Sequence, residues 1–206
     1  MMRVLALAGI VMMATTGNGF CQDQSRAPLQ ATGPGQTPAR PLNDRTPVGF
    51  TERAMLYPGN LPLFAKMDSG ARTSSLNAED ILTFERDGRM WVKFHVTNRD
   101  NRTVMFERPV VRRAQIKDLT GPAVSRPVVM LGICVADVFR ITEVNLSNRT
   151  GFNFQLLVGR RFMRQALLVD PARQNTTTPT CKVTEEALRA LDFIPGIPYQ
   201  KDEGGE

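Results

Sequence analysis

Leu63-Phe64-Ala65-Lys66-Met67-Asp68-Ser69-Gly70-Ala71-Arg72-Thr73-Ser74-Ser75-Leu76 is the stretch that decides the fold. From Leu63 to Met67 apolar side chains recur at every second position, the period of a half-buried strand. That strand runs straight into Asp-Ser-Gly. These three residue types end strands in turns throughout proteins, so the triplet alone says little. Its setting says more. A carboxylate stands at the end of an inward-packed strand, beside a small hydroxyl, and Gly70 lets backbone approach it closely.

Outward from this stretch, strand signals dominate. They cover Arg53–Leu56, Ile81–Arg86, Met90–Val96, Thr103–Val110, Arg113–Lys117, Ser125–Ile133, Val138–Leu146 and Phe152–Val158. Asp87-Gly88 between two of them reads as a two-residue hairpin turn. Asn98-Arg99-Asp100-Asn101 and Ser147-Asn148-Arg149-Thr150-Gly151 mark further turns. Many short strands with few helices predict an all-β fold closed into a barrel. A second landmark is Phe154-Gln155-Leu156-Leu157-Val158-Gly159-Arg160, an apolar strand that ends at glycine. Read alone it is a core strand before a turn.

The chain has 206 residues, enough for one ordinary domain with extra segments. The domain is expected over residues 48–172. Residues 22–47 are rich in Pro, Gly, Gln and Thr and read as a flexible linker. In the tail, residues 173–206, Thr184-Glu185-Glu186-Ala187-Leu188-Arg189-Ala190-Leu191 reads as a short helix capped by Thr184 with acids in its first turn.

Residues 1–21 carry Arg3, an apolar run from Val4 to Ala14, and small polar residues before Cys21. This is the pattern of an export signal cleaved before Gln22, which predicts a periplasmic or secreted protein. Two other readings stand beside it: a lipidated Cys21, and an apolar tail on a cytosolic protein. No apolar run reaches the roughly 18 residues of a spanning helix, so no stable membrane span is expected. Net charge is +6. Removing residues 1–21 takes away Arg3 and no acid, which leaves 25 basic residues against 20 acidic. The basic residues are spread along the chain, as on a solvated surface, and no nucleic-acid partner is expected. Cys134 and Cys181 remain after cleavage. They form either a disulfide, which an oxidising compartment favours, or two unpaired thiols.

One histidine and three cysteines limit the chemistry. His-Glu-x-x-His is absent, a zinc peptidase needs about three ligands, and His95 stands alone in an alternating segment. No metal or other cofactor is expected. A histidine-based triad would have to use His95. There is no Walker-type loop for nucleotide hydrolysis and no Gly-x-Ser-x-Gly elbow. Ser69, Ser74 and Ser75 read as turn and strand hydrogen-bonders.

The chain resembles the bacterial retropepsin-like aspartic endopeptidases long labelled "ATP-dependent zinc proteases". Ala65 to Ala78, Trp91-Val92-Lys93-Phe94, Leu156-Leu157-Val158-Gly159-Arg160 and Leu168-Val169-Asp170-Pro171 carry the resemblance, which covers about Val48 to Pro171. Family members more often have Thr where this chain has Ser69, and His where it has Asn77. The resemblance implies a small closed barrel with Asp68 as the catalytic residue. It implies that Ser69, Gly70 and Ala71 support the loop, and that the strand ending at Gly159 packs beneath it. One carboxylate cannot perform the reaction, which needs two sharing a proton. The resemblance therefore implies a homodimer that brings two Asp68 residues together to hydrolyse a peptide or protein substrate. A flap over the substrate is expected at Asp118, Leu119, Thr120 and Gly121, with Asp87-Gly88 as its rival. The competing reading is a non-catalytic module on the same barrel that holds a peptide or an envelope component.

Overall fold

Strands β1 (Thr46–Tyr57) and β2 (Leu61–Asp68) form an antiparallel pair, in register from Thr51 opposite Lys66 to Leu56 opposite Leu61. Leu61, Leu63, Ala65 and Met67 face the core, while Pro62 and Lys66 face solvent. The period of two seen in the sequence is thus a real division between faces. In this computed structural model the described residues are 40–116, 123–148, 151 and 153–192. The expected export segment with Cys21, most of the expected linker, and the expected flap at Asp118, Leu119, Thr120 and Gly121 lie outside them.

The remaining elements are β3 (Ser74–Asn77), β4 (Glu79–Arg86), β5 (Arg89–Thr97), β6 (Thr103–Pro109), β7 (Arg112–Ile116), β8 (Val124–Val135), β9 (Val138–Ser147), β10 (Leu156–Gly159), α1 (Arg160–Met163), β11 (Leu167–Gln174) and α2 (Glu185–Asp192). Hydrogen bonds run from β1 through β2, β10, β3, β9 and β8, and β8 pairs back onto β1. These six strands close a barrel, as the sequence predicts. β11 flanks β1 and β7 flanks β8. Closure depends on β1 changing partners. Its first residues run parallel to β11, and Ala54 to Tyr57 pair with β8. The ladder with β11 shifts between Gly49 and Thr51. A Cβ on Gly49 would lie 2.5 Å from the Arg173 carbonyl oxygen, so only glycine permits this approach.

β4, β5 and β6 form a separate antiparallel sheet. Asp87 and Gly88 join β4 to β5 with φ of 51° and 69°, the left-handed pair of a two-residue hairpin turn. The rival flap is therefore the tip of this sheet. Phe94 and Phe106 stack at 5.3 Å and belong to the same buried cluster as Leu56, Leu131, Ile133, Leu146 and Leu156. That cluster joins sheet and barrel into one core.

The structure departs from the sequence reading in three places. First, Ser74-Ser75-Leu76-Asn77 was not among the expected strands. It is a buried strand between β10 and β9. Asn145 makes this feasible: its side chain donates to the Ser74 carbonyl at 2.8 Å and pairs with the Ser75 hydroxyl at 3.0 Å. Second, the domain was expected over residues 48–172, but β11 continues to Gln174. Proline is tolerated there because β11 is an edge strand. Third, the polar stretch after it is bound to the barrel. The Thr176 and Thr177 N–H and hydroxyl groups donate to Glu52, and Thr180 N–H donates to the Ala136 carbonyl. Cys134 and Cys181 form a disulfide, with Cα atoms 6.0 Å apart, which fastens this segment to β8. The short helix is present as α2, and the Thr184 hydroxyl accepts from Ala187 N–H as the cap. No helix among the described residues is long and apolar enough to cross a membrane.

Candidate active site

β2 delivers Asp68 to the end of the barrel, where its register partner is Gly159 on β10. The chain then turns at once. Asp68 Oδ1 accepts hydrogen bonds from Gly70 N–H at 3.0 Å and Ala71 N–H at 3.2 Å. Two backbone donors on one oxygen fix the orientation of the carboxyl plane. Asp68 is half-buried, so the carboxyl group is held yet within reach of a ligand. A Cβ on Gly70 would come within 3.2 Å of Oδ1, and glycine keeps that space clear.

The loop is supported from below by the end of β10 and the start of α1. Gly159 N–H donates to the Ser74 hydroxyl at 3.1 Å. Arg160 N–H donates to the Ala71 carbonyl and Arg161 N–H to that of Arg72. A Cβ on Gly159 would lie 2.5 Å from the backbone of Thr73, so the two chains meet only because this residue has none. The Arg160 guanidinium donates from one nitrogen to the Ser69 carbonyl at 2.9 Å and the Gly70 carbonyl at 2.8 Å. Asp68, Ser69, Gly70, Ala71 and Gly159 thus share one loop-and-strand unit, as the sequence suggests. Ser74 joins it as a strand hydrogen-bonder, and Arg160 joins it without having been given a role. Their signal was position: Arg160 follows Gly159, and Ser74 opens the strand that Gly159 meets.

His95 sits elsewhere, on β5, with Nδ1 3.2 Å from an Asp80 carboxylate oxygen. Among the described residues no three His, Cys, Asp or Glu side chains gather as a metal site. Beside the loop lies an open cavity of about 870 Å³. Ser69, Arg45, Arg72, Arg160, Arg161 and Arg164 line its polar part, over Met163, Leu167 and Val169. In sequence these arginines look scattered. In space they converge, because the Asp68 loop, α1 and the entry to β1 meet here.

A family model for the retropepsin-like aspartic endopeptidase RimB matches residues 47–180. The chain belongs to this family. The matched span takes in the barrel, the Asp68 loop and the bound segment through Thr180. Among curated relatives, a probable alpha-L-glutamate ligase of Desulfotalea psychrophila is 37% identical over 142 residues. The match covers 68% of this chain and 28% of that protein. A probable alpha-L-glutamate ligase of Parasynechococcus marenigrum is 34% identical over 128 residues, covering 60% of this chain and 28% of the relative. The retropepsin-like chain therefore spans little more than a quarter of the length of these relatives. A crystal structure of a Legionella pneumophila protein of unknown function shares the fold, with a TM-score of 0.57 and 36% identity. That match covers 65% of this chain and 98% of the Legionella chain.

Proposed function

We propose that this protein is an exported aspartic endopeptidase, active as a homodimer in which Asp68 of each protomer supplies half of the catalytic dyad. The observation that carries the reading is the Asp68 carboxyl, held by Gly70 and Ala71 N–H groups at the barrel end in a chain of the retropepsin-like family. Paired across a two-fold axis, the two carboxyls hold one proton between them. The charged one takes a proton from water, whose oxygen bonds to the scissile carbonyl carbon. The neutral one gives its proton to the carbonyl oxygen. The resulting tetrahedral diol collapses as a proton reaches the amide nitrogen and the C–N bond breaks. In this reading the Ser69 hydroxyl, next to the acid, bonds across to the facing loop of the other protomer.

An acidic peptide suits this site. Five arginines line the cavity beside Ser69, and guanidinium groups pair well with carboxylates. The relatives named as glutamate ligases agree with a glutamate-containing substrate. Export is supported by the pattern of residues 1–21 and by the Cys134–Cys181 disulfide, a bond suited to an oxidising compartment.

The ligase relatives also favour a second reading, in which this barrel is a peptide-holding module and performs no hydrolysis. Purified protein incubated with glutamate-rich peptides separates the two. Cleavage that disappears in Asp68→Asn while the circular dichroism is unchanged supports the peptidase. Binding without cleavage in the dimeric wild type supports the module.

A further inference from the structure

The cavity that Ser69 and the five arginines line opens next to the carboxyl that must meet its twin. This inference rests on the dyad reading. If two Asp68 loops face each other, the arginines of both protomers face each other too. Among the described residues of one chain little offsets them. Glu143 pairs with Arg161 but is shared with Arg112. Arg160 spends one nitrogen on the Ser69 and Gly70 carbonyls, which leave its charge uncompensated. Arg45 donates to the Arg40 carbonyl, also a neutral group. Arg72 and Arg164 are exposed, and their side chains make no hydrogen bond or ion pair among the described residues. The same face carries an attraction as well. Leu168 and Val169 on edge strand β11 are each 37% exposed, and Val169 lines the cavity. An apolar edge favours association, and a like-charged cluster beside it opposes association.

We propose that two protomers close around a polycarboxylate, so that dimer formation is linked to an anionic peptide bound between the arginine clusters. The lining fits such a ligand. Met163, Leu167 and Val169 suit aliphatic side-chain stems, and the guanidinium groups suit the carboxylates at their ends. A ligand that binds the dimer more tightly than the monomer must favour the dimer by the same factor. Its substrate would then assemble the enzyme, and dilute protein without substrate would stay monomeric.

The test is sedimentation of the full chain at low salt, with and without an end-blocked ten-residue glutamate peptide. A ten-residue glutamine peptide is the control. The glutamate peptide should lower the dimer dissociation constant by about tenfold or more, saturably, and the glutamine peptide should not. The variant Arg72→Gln/Arg164→Gln removes charge from two side chains the fold does not use. It should dimerise more tightly than wild type without peptide, and its response to peptide should fall to about threefold or less. A dimer equally tight with and without the glutamate peptide overturns the proposal. So does an equal tightening by sodium chloride alone with no saturable peptide binding, or a double variant that behaves as wild type. If the dimer ignores the peptide while Asp68→Asn still abolishes cleavage, the linkage fails and the dyad stands. If no dimer forms under any condition, the dyad fails as well.

Discussion

Two carboxylates on neighbouring strands of this barrel have opposite fates. Glu52 on β1 is fully buried. Its oxygens accept from Gly49 N–H at 2.6 Å, from Thr176 N–H at 3.1 Å and hydroxyl at 2.5 Å, and from Thr177 N–H at 2.9 Å and hydroxyl at 3.0 Å. Burial by itself would raise its pKa. The Thr176 hydroxyl, the Gly49 and Thr177 N–H groups and the Thr177 hydroxyl outweigh it and hold the carboxyl below its ordinary value. Asp68 on β2 is half-buried and accepts two N–H donors, both on Oδ1. Saturation makes Glu52 a clasp between β1 and the segment after β11. Among the described residues both Asp68 donors sit on Oδ1, and its second oxygen stays open to a ligand. The comparison teaches what the proposed reaction asks of its acid: donors that fix its orientation without using up its second oxygen.

Breaking the reactive side gives the largest effect. Asp68→Asn should lower peptide hydrolysis by about a thousandfold or more, with the melting temperature almost unchanged, as read by peptide cleavage and calorimetry. Activity within tenfold of wild type contradicts the assignment.

Glu52→Gln strikes the clasp. It removes a charge that five donors were built around and turns an NH₂ group toward N–H and O–H donors. A loss of about 3 kcal/mol in stability is expected from denaturant titration. The same carboxyl sets a pH dependence. Its folded pKa lies below its unfolded value, so its contribution is present above the unfolded pKa, about 4.3. That contribution is lost as pH falls through the folded pKa. In Glu52→Gln this part of the acid destabilisation should vanish. A variant with the same slope of stability against pH as wild type removes Glu52 from the account.

Cys181→Ser releases the other fastening of that segment, a bridge across 47 positions, and should lower stability by about 2–4 kcal/mol. Full stability in the variant would show that the Glu52 clasp alone holds the segment. The smallest expected effect sharpens the reactive side. Ser74→Ala leaves Gly159 N–H without its side-chain acceptor beneath the loop, at a cost of about 1 kcal/mol. It should lower kcat several-fold while KM stays near wild type, since Ser74 supports the loop and lies outside the arginine-lined cavity.

The readable parts of the fold were the local ones. Alternation along Leu63 to Met67, Asp87-Gly88, and the apolar run into Gly159 each encode their structure within a few residues. The loop at Asp68 was readable for the same reason. What stayed hidden depends on partners distant in sequence. β3 carries no clear strand pattern of its own, and Asn145, 70 residues beyond Ser75, supplies its side-chain hydrogen bonds. Thr176 and Thr177 read only as part of a polar tail until they meet Glu52, 124 and 125 positions earlier. β11 appears to stop at Pro171, because a proline forbids an interior strand but not an edge one. The arginine cluster was least legible: five residues spread from 45 to 164 share a cavity only after folding.

The central claim is that one carboxyl per chain acts only beside its twin, and subunit mixing tests it most directly. Wild-type and Asp68→Asn chains are mixed in equal amounts, allowed to exchange, and assayed at fixed total concentration with saturating peptide. The account predicts about a quarter of the all-wild-type activity, since only dimers with two Asp68 residues react. Half of that activity would mean that each chain works alone, and would contradict the shared dyad.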